Sequence, residues 1–197
     1  MGLAIIGLCL VAAVVSAECA RNAWNAGLSD IPDFESFAAT IQTLSQLGCV
    51  ILTLIWLPTG LKQVSAAGAE GLSVGPVGAV LWWFVPLANL VMPAKAVGEL
   101  RKASIQPRNW EAVGGSFWIG AWWAFWLAAG IANTLFLRAS LSDDGDLLAI
   151  AGTASFVGDI LTVPAALLFA VVVWSIDRRL VGLKRAPSPE LRPARPL

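Results

Sequence analysis

The sequence predicts an all-α integral membrane protein: a helical bundle of four transmembrane spans plus a proline-broken re-entrant or interfacial element. Three observations lead there. Hydrophobic residues make up 57% of the 197 and charged residues only 13%, whereas soluble domains carry roughly 25% charged residues. The apolar residues gather into long runs separated by short charged stretches, as helices must when hydrocarbon leaves them to satisfy their own backbone groups. One further stretch, residues 74–94, is as apolar as those runs but is interrupted by Pro86 and Pro93.

Roughly 20 apolar residues suffice to cross a bilayer, and the first run covers residues 3–17. Val15, Ser16 and Ala17 before Glu18 would pass as a signal-peptide cleavage site, but no Lys or Arg precedes the run, so it reads as a retained first helix. The second run covers 37–57, the third 117–137 and the fourth 157–176. Within 74–94, Pro86 and Pro93 each remove a backbone donor and clash with the preceding turn, while Gly75, Pro76 and Gly78 weaken the start. A continuous helix is costly there; five spans, with a Pro-kinked helix at this place, is the alternative. Residues 1–183 then form one transmembrane domain, and 184–197, basic and carrying Pro187, Pro189 and Pro193, read as a disordered cytoplasmic tail.

Basic residues stay on the cytoplasmic side of a membrane. With four spans, Lys62, Lys95, Arg101, Lys102, Arg108, Arg178, Arg179, Lys184, Arg185, Arg192 and Arg195 lie inside, and Arg21 and Arg138 outside. With five, Arg21 and Lys62 exchange sides and the balance is unchanged. The acidic stretch 138–146 suits the outside on either count and leaves the C-terminus in the cytoplasm, and the acidic stretch 18–35, also suited to the outside, favours four spans.

After Pro93, Lys95, Glu99 and Lys102 fall on one side of a helix, and Val97, Leu100 and Ala103 lie toward another. Such an amphipathic helix can lie on the inner leaflet. Lys95, Arg101, Lys102 and Arg108 would then meet anionic headgroups, each contributing on the order of 1 kcal/mol; the competing reading is that these charges only fix topology.

The same region carries a family pattern. Trp83, Phe84, Pro86, Asn89, Leu90 and Pro93, followed by Glu99, Leu100, Arg101, Ala103 and Ser104, resemble the aromatic-Phe-x-Pro-x-x-Asn-Leu, Pro and Glu-Leu-basic-basic-Ala-Ser signature of the bacterial family called domain of unknown function 4328. Trp56 and the Trp-rich helix start after Trp110 also sit where that family tends to carry Trp. Leu57, Pro58, Thr59 and Gly60 depart from it where Arg is usual, as does Ala94 where an aromatic often stands. The resemblance implies a bacterial multi-pass membrane protein and supplies no reaction.

Ten Trp stand against no Tyr and no His. Trp118, Trp122 and Trp126, with Trp123 and Phe125 alongside, predict an aromatic ridge on the third span, facing lipid or the headgroup region. Gly120, Ala124, Ala128 and Ala132 repeat every four residues, a small-residue ribbon that lets another helix approach, within the bundle or from a second copy. An aromatic slot for a lipid or quaternary amine is a further reading of the Trp cluster. Polar residues in hydrocarbon are expensive; Gln42, Gln46, Asn133 and Asp159 all fall in the outer half of the four-span arrangement and form a candidate polar pocket. The competing reading is helix packing, with Asp159 near the start of its span and reaching interfacial water.

The lack of His removes a Ser-His-Asp triad and His-based acid chemistry. Cys9, Cys19 and Cys49 lack metal spacing, and Gly68, Gly71, Gly75 and Gly78 lack the Lys-Ser or Lys-Thr of a phosphate loop. Asp143, Asp144 and Asp146 do not complete a calcium loop. No enzyme, cofactor, metal or nucleic-acid partner is therefore expected. The favoured reading is a non-enzymatic scaffold or modulator whose partners are membrane lipids and a second copy or another membrane protein. A small transporter or channel subunit using the pocket around Asp159 is the alternative, and an intramembrane enzyme using Asp159 is the weakest.

Overall fold

The computed structural model describes residues 1–26, 32–142 and 145–185. It is 84% helical with no strand among the described residues. In chain order it forms α1 (Gly2–Ala26), α2 (Pro32–Ala66), α3 (Gly78–Leu81), a 3₁₀ turn (Ala88–Leu90), α4 (Met92–Ile105), a second 3₁₀ stretch (Pro107–Ala112), α5 (Phe117–Ser140) and α6 (Gly145–Arg185). Four helices are long and apolar enough to cross a membrane, over Gly2–Trp24, Thr40–Ala66, Phe117–Ser140 and Ile150–Lys184.

The helices outrun the apolar runs that announce them. α1 passes unbroken through Ala17 and Glu18 to Ala26. α6 starts at Gly145 rather than near 157, because Gly152, Thr153, Ser155 and Gly158 dilute the hydropathy without stopping the backbone. Asp159 therefore lies inside the span that begins at Ile150, not at its edge. Beyond Arg185 the predicted tail lies outside the described residues, as do Asp143 and Asp144.

Proline acts differently in different company. α2 and α6 continue through Pro58 and Pro164; one internal Pro costs a helix about 3 kcal/mol, which the flanking turns of a long helix can offset. Between 74 and 94 three prolines crowd together, and the chain forms only the four residues of α3 and a three-residue 3₁₀ turn before α4. That is far short of the roughly 20 residues a helical span needs, so the segment is not a fifth helical span. Pro93 sits in the first turn of α4, where its missing donor has no partner to lose.

The chain divides into two compact units, Met1–Ile55 with Ser116–Val173, and Trp56–Gly115 with Trp174–Leu197. In the first, Ile5, Ala12, Ala13, Trp122, Trp123, Phe169 and Val173 are buried. A Cβ at Gly48 would stand 3.0 Å from Leu8, so α1 and α2 approach closely there. In the second, Trp56, Leu57, Leu61, Val64, Val97, Leu100, Ile176 and Leu180 form the core. All basic side chains described belong to this second unit, except Arg21 and Arg138.

Candidate functional site

Each unit holds a cluster of functional interest. In the first, three helices meet on one amide. The Gln42 Nε2 of α2 donates to Asp159 Oδ1 of α6 at 2.7 Å and to Ser16 Oγ of α1 at 2.8 Å. Ser16 is fully buried. Each polar group has a partner, so the cost of leaving it bare in hydrocarbon is avoided. Gln46, one turn along α2, is half-buried; Asn133 is exposed on α5 and leans on α6, where its Oδ1 would lie 2.7 Å from a Cβ at Gly158. Four residues further on, Thr162 Oγ1 bonds back to the Gly158 carbonyl at 2.8 Å. Of the four candidate pocket residues, Gln42 and Asp159 are thus joined directly, and Ser16 is the partner that sequence reasoning missed. A lone Ser in an apolar run gives no periodic signal of what it meets.

One further pair crosses from α1 to α2. Cys9 and Cys49 bring their sulfurs to 3.4 Å, and both are free thiols. Their separation of 40 residues hides the pairing in the sequence.

The faces of α5 differ from expectation. Trp122 and Trp123 are buried rather than turned to lipid, Trp122 stacking on Phe169 at 4.5 Å and Trp123 on Trp126 at 4.7 Å. Trp118 alone of the ridge's five aromatic members is more than half exposed. The ribbon turns with the helix: Gly120 and Ala124 are exposed, Ala128 is half-buried and Ala132 buried. A Cβ at Gly120 would meet nothing within 4 Å. Large rings fill the space toward α6, which leaves the small residues at the N-terminal end of α5 outside.

In the second unit the motif residues divide by role. Pro93, Glu99, Leu100 and Ser104 are buried on α4, Trp83 and Asn89 are half-buried, and Phe84, Pro86 and Leu90 are exposed. Val97, Leu100 and Ala103 have no exposed surface, so the apolar face of α4 is covered by protein and is not free to lie on a leaflet. Glu99 does not join Lys95 on a solvated side: it is 6% exposed. Its carboxylate accepts from Ser73 Oγ and from the Val74 backbone N–H, the latter at 3.2 Å, fastening the loop before α3 onto α4. Ser104 Oγ donates to the Arg101 carbonyl at 2.7 Å. Asn89 Oδ1 is enclosed without a hydrogen-bond partner.

Around this core Lys95 and Arg108 are exposed, and Arg101 and Lys102 half-buried. Arg101 Nη1 donates to the Gly114 carbonyl at 3.3 Å. Burial, and then the charge of Arg179, lower the Arg101 pKa. Trp110 Nε1 donates to the Glu70 carbonyl at 2.7 Å, and Trp56 Nε1 to Asp177 Oδ1 at 3.3 Å. Arg178 lies 4.6 Å from the Trp174 ring centre, a cation–π contact. Trp56, a family-like Trp position, thus holds a carboxylate partner in place, and Trp110 a backbone one. Among the described residues no group of three or more His, Cys, Asp or Glu is placed to hold a metal ion.

Comparison with known proteins adds one match. The family model described as Domain of unknown function (DUF4328) covers residues 17–178. No curated protein and no solved structure was found to match the chain.

Proposed function

The chain belongs to the family described as Domain of unknown function (DUF4328), and from that premise we propose that it is a bacterial inner-membrane protein crossing four times, a non-enzymatic scaffold or modulator of membrane partners. Its C-terminus faces the cytoplasm, where its basic residues gather. The observation that carries the scaffold reading is the outer face of α5. Gly120 and Ala124 stand exposed, with open space over Gly120, while the same helix buries Trp122 and Trp123 on its other side. Without a hydrophobic driving force between helices in lipid, close backbone approach over small residues is what favours association. A second copy, or a helix of another membrane protein, fits that face.

The transporter alternative gains less support. Asp159 is tied to Gln42, and Gln42 to Ser16, so the polar side chains satisfy one another across three helices instead of standing ready for a solute. Such a closed network favours packing. The test of the scaffold reading is crosslinking in native membranes of the chain carrying Gly120→Cys, with and without Ala124→Ile. Crosslinked product that falls severalfold with the bulky residue supports it. Equal crosslinking with and without Ala124→Ile would overturn it.

A further inference from the structure

Residues 81–91 present apolar side chains that nothing in the described chain covers. Leu87 is 83% exposed and Phe84 71%; Leu81, Leu90 and Val91 are each more than half exposed. The segment is too irregular to sit in the hydrocarbon centre. Pro86 has no N–H to donate, and the backbone passes through one four-residue helix and one 3₁₀ turn, leaving groups that hydrocarbon cannot satisfy and interfacial water can. Trp82, partly exposed at its start, is a residue type that settles at the headgroup level. Its far end runs directly into α4, with the Lys95 N–H bonded to the Val91 carbonyl at 3.1 Å. An exposed Lys therefore stands one turn from the last exposed apolar residue, and Lys102 follows two turns on. α4 cannot supply the apolar contact itself, since Val97 and Leu100 are wholly buried.

We propose that residues 81–91 lie at shallow depth in one leaflet, Phe84, Leu87 and Leu90 entering the acyl boundary, while Lys95 and Lys102 hold anionic phospholipid headgroups. The apolar side chains supply affinity for any bilayer and the lysines choose anionic lipid. This makes the broken segment a sensor of leaflet charge, and it does not depend on association through α5. The occupant is a lipid surface because exposed apolar side chains adjoin an exposed Lys95 and a half-buried Lys102 along one short stretch of chain, the pairing of apolar and cationic groups that an anionic leaflet edge matches.

The test places an environment-sensitive nitrobenzoxadiazole label on Leu87→Cys in the full chain, with the parent chain as the labelling control. The protein is reconstituted in vesicles of phosphatidylcholine alone or of equal parts phosphatidylcholine and phosphatidylglycerol. Shallow lipid-borne nitroxides are expected to quench the label more than deep ones, and the equilibrium constant for insertion is expected to rise roughly tenfold with phosphatidylglycerol. Lys95→Gln with Lys102→Gln is expected to remove that rise while leaving insertion in phosphatidylcholine unchanged. A label reached only by an aqueous quencher, one reached by neither aqueous nor lipid quenchers, or one quenched best by deep nitroxides would each overturn the proposal. So would a lipid preference that survives both lysine substitutions.

Discussion

At the scale of single residues, Gln42 is the donor on which three helices converge. Replacing it with Leu leaves Asp159 Oδ1 and Ser16 Oγ without that partner; the expected loss is about 1 kcal/mol, at the lower end for a buried hydrogen-bonding group because partners can be found elsewhere in a membrane. Reversible unfolding in detergent measures it, and a double-mutant cycle with Ser16→Ala should show coupling between the two. Asp159→Asn keeps an acceptor for Gln42 and should leave stability nearly unchanged. Loss of ion flux in vesicles with that variant would favour the transporter reading instead. Cys9 and Cys49 give a second check on how α1 meets α2: with sulfurs 3.4 Å apart, oxidation by copper phenanthroline should join them and leave the Cys19 thiol reduced. Counting maleimide-reactive thiols under denaturing conditions reads this, and three reactive thiols after oxidation would contradict the α1–α2 packing. Sequence reasoning could place Gln42 and Asp159 in one polar group because each is a rare polar residue within an apolar run. It could not find Ser16 or the Cys pair, since contacts between distant helices leave no trace in local spacing.

At the scale of elements, Gly60 of α2 is tightly packed: a Cβ there would lie 2.9 Å from the Leu100 side chain and 3.3 Å from the Leu180 side chain. Gly60→Ala should therefore cost about 1–3 kcal/mol by overpacking, whereas Gly98→Ala on α4, with nothing within 4 Å of its Cβ, should stabilise by about 0.5–1 kcal/mol through helix propensity. The same unfolding measurement compares them. Glu99 sets the loop before α3 by accepting the Val74 N–H, so Glu99→Ala should speed hydrogen exchange at Val74 more than at amides in the middle of α4. The breaking of 74–94 was legible because three prolines and two glycines act locally, whatever surrounds them. The burial of Glu99 was not. Helical spacing groups it with Lys95 and Lys102, and its partners Ser73 and Val74 come from a loop whose path no periodicity describes. The start of α6 was misjudged for a related reason: hydropathy marks where a helix is apolar, not where its backbone hydrogen bonds begin.

At the scale of the whole molecule, the proposed topology rests on the four long helices and the distribution of charge. Since residues 74–94 hold no helix longer than four residues before α4, the proposed four crossings would return the chain to the side from which it started. The stretch from the end of α2 to the start of α5, which contains Lys62, Lys95, Arg101, Lys102 and Arg108, then shares a side with the basic end of α6. The proposed orientation puts that side in the cytoplasm, as the positive-inside rule expects. Ser65 is exposed near the end of α2 and Ser140 at the end of α5, and the proposed topology predicts that they report on opposite sides of the membrane. Introduced singly as Cys and treated with a membrane-impermeant maleimide, Ser140→Cys should react in intact cells. Ser65→Cys should react only after the membrane is opened, as should a Cys placed at Lys184. Reaction at residue 65 from outside, with residue 184 still protected, would require an odd number of crossings between them and hence a fully crossing 74–94. The irregular backbone of that segment would then have to be enclosed by protein at membrane depth, and the exposed Phe84 and Leu87 would become contacts with another chain instead of with lipid.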